Sequence, residues 1–380
     1  MYLPREEERK LFGMLGWKEA LALIGPRRVG KTSLALRLLE IWEKRGGSGK
    51  YFDLESLGAP SSAAELASEI KKIPEGGLVV LDEVQVIENW VKVVRGEVEG
   101  ARRHILVSGS SASLLSKEIA SSLGGRAIPE VILPLSYRDA RIWGLKSLDE
   151  YMKIGGYPEC VLRPHEASRL HKLYLELTIL RDVAARKGIR EIKPLSDLAV
   201  LLLSEPGKTI SAKKTAAMLG ISQPTFRSFV DALNDAFLIL SVPPYIRSPR
   251  ERVIADARNY AYDIGLQSSV SISTEEDRGR RLENVVAIEL VRRGYSLSYI
   301  RGNEWECDFI AQKTGTRPIA VQVWGDGGKI PERELIGLEN GMKQAKAEGL
   351  LLSEKEAEAK MPPNSKLKTI EEWILSIPEI

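Results

Sequence analysis

Residues Gly25-Pro26-Arg27-Arg28-Val29-Gly30-Lys31-Thr32 have the composition and spacing of a phosphate-binding loop, GxxxxGK[ST]. Glycines let the backbone curl until successive N–H groups point at phosphate oxygens. Lys31 can reach the β and γ phosphates of a nucleoside triphosphate such as ATP, and the Thr32 hydroxyl can ligate Mg2+. A helix starting at this point adds a favourable dipole for the anion, and Ser33 carries the contact region into it. Arg27 and Arg28 read as an exposed basic pair beside the phosphates. The alternative is a chance match in a glycine-bearing turn. The context speaks against it, because an apolar strand (Leu21–Ile24) precedes the loop and helical apolar spacing (Ser33–Leu39) follows.

A second group of residues can complete this chemistry. Leu78-Val79-Val80-Leu81 is an apolar run ending in Asp82-Glu83. A first carboxylate at such a strand end holds Mg2+, directly or through water. The second, Glu83, is placed to orient or deprotonate an attacking water. Alone, the pair also reads as a solvated acidic turn. Ser110, in Ser108-Gly109-Ser110-Ser111, is either a γ-phosphate contact or part of a Ser/Gly turn. Arg126 is either a cation for transition-state charge or an ordinary structural arginine.

These residues need a scaffold. Strand candidates at 21–24, 50–54, 78–82 and 104–108 alternate with helical stretches, which predicts a doubly wound α/β domain with a parallel sheet. After Leu133-Pro134-Leu135-Ser136 the composition becomes mainly helical to about residue 204, with a break at Gly155-Gly156-Tyr157-Pro158. From about residue 275 mixed α and β returns: a helix over 280–293, then strands at 296–301, 307–312 and 319–324. Glu354–Lys360 reads as a solvated helix end.

The loop, Asp82-Glu83-Val84-Gln85 and Ser108-Gly109-Ser110-Ser111 together resemble archaeal and bacterial AAA+-type ATPases, in particular a subgroup with a C-terminal domain of unknown role. Leu133–Tyr137, Gly155–Glu159, Leu180–Val183, Tyr262–Leu266 and Leu282–Asn284 carry the resemblance along almost the whole chain. It implies ATP binding and hydrolysis, a helical lid, a winged helix and a nuclease-like terminal fold. The expected division is an ATPase core at 1–136, a lid at 137–204, a winged helix-turn-helix at 205–270 and a terminal α/β domain at 271–380.

Within 209–262 the residues themselves suggest a helix-turn-helix. Gly220 makes the turn, Ser222 caps a second helix with Pro224 near its start, and Phe226, Phe229 and Leu233 pack. Gln223, Thr225 and Arg227 would then be exposed near the start of a recognition helix, with Lys213 and Lys214 placed for DNA phosphates. Protein packing alone is the competing use.

The terminal segment resembles the PD-(D/E)xK nuclease fold, which implies a metal site at Glu283, Asp308 and Gln322. Gln322 stands where an acid belongs and Trp324 where a lysine belongs, so a scaffold without the chemistry is the favoured expectation. His104, His165 and His171 show no metal spacing and read as surface or strand-end residues; Cys160 and Cys307 read as buried thiols.

Composition bounds the rest. The 380 residues carry 55 basic and 52 acidic side chains, too balanced to declare a nucleic-acid partner, so any such surface is local. Two distant cysteines and an acidic start suit a reducing cytoplasm, and no apolar run approaches a membrane span. The leading expectation is a Mg2+-dependent ATPase whose nucleotide state controls a winged-helix/nuclease-like arm acting on DNA. A DNA-binding initiator-like module that holds ATP as a ligand, and an ATP-dependent nuclease, remain open. So do a second copy of the chain and another protein as partners.

Overall fold

The computed structural model describes residues 3–109, 123–246, 248, 255–270 and 276–376. The chain divides into two compact units, 1–135 with 235–237, and 136–234 with 238–380. The segments expected as lid, helix-turn-helix and terminal domain fall in the second, apart from residues 235–237.

The first unit is built on a five-stranded sheet: β1 (Ala20–Ile24), β2 (Gly49–Asp53), β3 (Leu78–Asp82), β4 (His104–Gly109) and β5 (Ala127–Val131). The order is β2-β3-β4-β1-β5, and every pairing is parallel. All five residues of β1 and of β3 are buried, as near-continuous apolar runs covered on both faces must be. Helices α1 (Glu7–Met14), α2 (Lys31–Lys44), α3 (Ala63–Lys71) and α4 (Trp90–Glu99) supply the cover. Helix α2 buries Leu34, Ala35, Leu38 and Leu39, one stripe at helical spacing, and starts from Gly30, whose φ of 91° only glycine adopts cheaply. Because β4 lies between β1 and β3, the ends of three adjacent strands meet: the loop after β1, Ser108 in β4, and Asp82-Glu83 after β3.

The second unit begins with helices. Ala212–Met218 and Gln223–Asp235 are joined through Gly220 at φ 68°, and Ser222 accepts the Thr225 N–H as a cap. Phe226, Phe229 and Leu233 are buried. Strands β6 (Ile239–Val242) and β7 (Arg258–Ala261) pair antiparallel after them. A long helix, Glu276–Arg292, leads into a mixed sheet formed by β8 (Ser296–Arg301), β9 (Glu306–Gln312) and β10 (Ile319–Trp324). A short strand, β11 (Gly328–Lys329), and the helix Glu332–Ala345 come next, followed by β12 (Glu348–Ser353), β13 (Ala357–Glu358) and β14 (Ser365–Thr369). The sheet order is β14-β12-β10-β9-β8, with β8–β9–β10 antiparallel and β10–β12–β14 parallel.

Glu354–Lys360 is not a helix end: its centre is β13, which pairs in parallel with β11. One short backbone ladder, Gly328 with Ala357 and Lys329 with Glu358, sets its conformation. His171 also departs from expectation. It is buried in the helix Ala167–Leu177, with Nε2 3.6 Å from Asp263 Oδ1. Cys160 and Cys307 are free, buried thiols. Among the described residues no helix is long and apolar enough to cross a membrane.

Candidate functional site

The loop after β1 is held from several sides. Gly25 has φ 150°, and a Cβ there would sit 2.1 Å from the Ile132 carbonyl oxygen, so the close approach of two strand ends requires glycine. Arg5 donates to the Val29 carbonyl at 2.6 Å and to the Leu133 carbonyl at 2.8 Å, tying the loop to the segment after β5. Val29 is fully buried, whereas Thr32 and Ser33 face solvent at the start of α2. Arg28, at φ 67°, is exposed; Arg27 lies 4.0 Å from Glu55. Lys31 is 5% exposed and donates to the carbonyls of Gly25 (2.9 Å) and Pro26 (2.8 Å), folding back over its own loop.

Asp82 is 4% exposed and receives three hydroxyl groups. Thr32 donates to Oδ2 at 2.6 Å, Tyr51 donates to the same oxygen at 2.8 Å, and Ser108 donates to Oδ1. Burial, then the Asp82 hydrogen bond, push the Tyr51 phenol well above its ordinary range, so it stays a neutral donor. Glu83 takes a left-handed backbone, φ 51°, which costs a non-glycine residue about 1–2 kcal/mol. Its N–H reaches Ser108 Oγ at 3.4 Å, and Gln85 Nε2 donates to its carboxylate at 2.5 Å. Loop, lysine, threonine and both carboxylates are therefore one cluster at the ends of β1, β4 and β3.

Arg126 is not part of it. It immediately precedes β5, its carbonyl accepts the Ala20 N–H, and its guanidinium pairs with Glu99 at 2.9 Å. The loop leaves from the other end of β1, about 13 Å of strand away. The parallel register of β1 and β5 fixes that separation within one chain. Ser110 lies outside the described residues. Arg5, Tyr51 and Ser108 were not singled out by the sequence reading. The cue for Ser108 was its place in a hydroxyl-rich strand end; Arg5 and Tyr51 carry no local motif.

In the second unit, Glu283, Asp308 and Gln322 line one cleft of about 490 Å³, together with Glu306, Trp324 and Glu334. Asp308 accepts the Val323 N–H at 2.9 Å, and Gln322 donates to Glu334 at 2.7 Å. Burial and then Glu283 push the Asp308 carboxyl well up. Among the described residues no group of three or more His, Cys, Asp or Glu is arranged to hold a metal ion. The implied nuclease metal does not fit: Glu283 is engaged by the Tyr260 hydroxyl and lies 3.8 Å from the Arg258 guanidinium, which also pairs with Glu306 at 2.5 Å. Of the DNA-contact candidates, Lys213, Lys214 and Gln223 are exposed; Thr225 and Arg227 are half-buried. Thr225 shares a 2.8 Å hydrogen bond with Ser222.

An AAA domain family matches residues 18–140, and a domain of unknown function (DUF8612) matches residues 145–277. An uncharacterized protein of Haemophilus influenzae is 28% identical over 316 residues, covering 76% of this chain and 78% of its own. Among solved structures, AMPPCP-bound DnaA from Aquifex aeolicus is similar at 15% identity and a TM-score of 0.30, covering 60% of this chain and 86% of that one. The uncharacterized protein MJ1544 of Methanocaldococcus jannaschii is 30% identical over 362 residues, 87% of this chain and 80% of that protein. Identity held across most of both chains, with the AAA match spanning the loop and both carboxylates, places this chain in the family of AAA-domain proteins that includes MJ1544.

Proposed function

We propose that the chain binds MgATP at residues 25–33 and hydrolyses it, and that the second unit is the arm through which turnover is used. The observation that carries this reading is the 2.6 Å hydrogen bond between Thr32 and Asp82 at the start of α2, beside a buried lysine. A carboxylate and a hydroxyl oxygen so close suit a hard dication. Thr32 and Asp82 would hold Mg2+, which supplies charge neutralisation across the β and γ phosphates. Lys31 already points over the loop, and phosphate oxygens would replace the two carbonyls it now contacts. Glu83, next along the chain from Asp82, is assigned the attacking water, and Gln85 the task of holding its carboxylate.

The segment with helices Ala212–Met218 and Gln223–Asp235 and the β6–β7 pair reads as a winged helix. Its exposed Lys213, Lys214 and Gln223, with Arg227, are assigned to duplex DNA. The test is ATP turnover by the purified chain and by Lys31→Ala, each with and without duplex DNA at low and raised salt. Binding and turnover should be lost in the variant, and any DNA stimulation of the wild type should fade with salt. Equal turnover by both proteins would sink the ATPase reading; turnover indifferent to DNA would remove DNA as the arm's partner.

Tyr51 should matter to the metal rather than to the fold. Tyr51→Phe removes one of three donors to Asp82 while keeping the ring. The Mg2+ concentration for half-maximal turnover is expected to rise about fivefold, equivalent to ~1 kcal/mol. An unchanged Mg2+ requirement would make Tyr51 a bystander.

A further inference from the structure

The cleft of the terminal sheet gathers acid residues from separate elements. Glu283 comes from the helix Glu276–Arg292, Glu306 and Asp308 from β9, and Glu334 from the helix Glu332–Ala345. Asp308 is buried and the other three are half-buried, and carboxylates gathered in one cleft repel unless a cation sits among them. One buried side chain supplies it, while the exposed Arg301, 3.9 Å from Glu306, and Arg333, 2.9 Å from Glu334, add charge at the rim. Arg258, on β7, is 3% exposed, reaches Glu306 at 2.5 Å and Glu283 at 3.8 Å, and stacks 4.4 Å from the centre of the Tyr299 ring. Nearby groups strengthen the latch to the β6–β7 pair. Tyr260 donates to Glu283, and Asn284 exchanges two hydrogen bonds with the Ala261 backbone at 2.7 and 2.8 Å.

We propose that Arg258 is a built-in cation that takes the place of a divalent metal in this cleft, so that the carboxylates latch β7 to the terminal sheet and bind no metal. The proposal is independent of nucleotide hydrolysis. It accounts for Gln322 and Trp324: with a fixed guanidinium present, neither a third acid ligand nor a nuclease lysine has work to do. It also gives the Leu282-Glu283-Asn284 motif a use, since two of its three residues grip β7.

The test uses the full chain with Asp82→Asn, so that the nucleotide site does not compete for the probe, and titrates Mn2+ calorimetrically. This background should bind no Mn2+ in the cleft. Adding Arg258→Met should create a site, with a gain of at least about tenfold in affinity, ~1.4 kcal/mol, that Asp308→Asn then abolishes. Arg258→Lys, which keeps the charge, should stay silent. If Arg258→Met does not fold in chelator, Mn2+ present during refolding should rescue it. Three results would overturn the proposal: Mn2+ binding by the background that Asp308→Asn removes, a folded Arg258→Met variant that binds no Mn2+, or an unfolded one that Mn2+ does not rescue.

Discussion

Glu83→Gln is expected to keep MgATP bound while slowing its hydrolysis by about 10²–10⁴-fold, the usual worth of a positioned general base. The change is nearly isosteric and leaves the residues proposed to bind nucleotide untouched. Lys31 keeps its two carbonyls, and Asp82 keeps Thr32, Tyr51 and Ser108. The left-handed backbone of Glu83 is a property of the turn after β3, and glutamine can occupy it at similar cost. What is lost is the negative charge that we propose draws a proton from water. The amide can still hydrogen-bond Gln85, so any fall in turnover reports the charge and not the position. Binding of a fluorescent ATP analogue and single-turnover hydrolysis separate the two. A variant that hydrolyses at the wild-type rate would move the water-activating role to another residue. One that fails to bind would show that Glu83 shapes the pocket instead.

The parts of this molecule that were legible in the sequence are those encoded by neighbours along the chain. The loop, Lys31 and Thr32 are consecutive, and β1 and β3 announce themselves because both faces are buried and the residues can be apolar without interruption. Strand β5 was not legible. It lies at the sheet edge, contains Pro129, and has only its first residue buried, so no apolar run marks it. That omission is why both readings of Arg126 stayed open. Only the pairing of β5 with β1 shows that the arginine sits at the far end of the strand from the loop.

Sites assembled from distant segments were harder still. Tyr51 reaches Asp82 across 31 residues of sequence, because β2 and β3 are neighbours in register. Arg258 meets Glu283 and Glu306 across β7, a helix and β9. Glu283, Asp308 and Gln322 line one cleft, but a motif had no way to place an arginine from β7 among them. A motif records which residues travel together, whereas the charge balance of a cleft depends on everything that folds against it.

The second large effect concerns two motifs that serve the fold. Asp263 is buried and accepts the N–H groups of Gly156 at 2.7 Å and Leu266 at 2.9 Å, with His171 at 3.6 Å. Gly155, at φ 75°, must be glycine: a Cβ would lie 2.3 Å from Asp263 Oδ1. The Gly155-Gly156-Tyr157 and Tyr262-Asp263-Ile264-Gly265 segments are thus two halves of one buried knot. Asp263→Ala strands two backbone donors and should cost about 2–6 kcal/mol, at 1–3 for each unsatisfied group. The melting temperature of the unit should fall by on the order of 10 °C.

The knot also sets a pH response. Burial lowers the His171 pKa, with Asp263 opposing, so the folded chain holds a neutral imidazole where the unfolded chain would take up a proton. Stability is therefore lost as pH falls through about 6.5, the unfolded imidazole value. Burial raises the Asp263 pKa, with His171 and the amides opposing. Its contribution has the other sign in pH: it is present below about 3.9 and disappears as pH rises through the raised folded value. Tyr157 beside them is pushed far up by burial and stays neutral throughout, as does the Cys160 thiol. The imidazole's loss begins at its unfolded pKa and so falls between neutrality and about pH 5.5. Calorimetric melting should show the wild type losing stability across that interval and His171→Gln losing much less. Parallel curves for the two proteins would place the pH response elsewhere, whereas convergence at low pH would assign it to the imidazole that Asp263 faces.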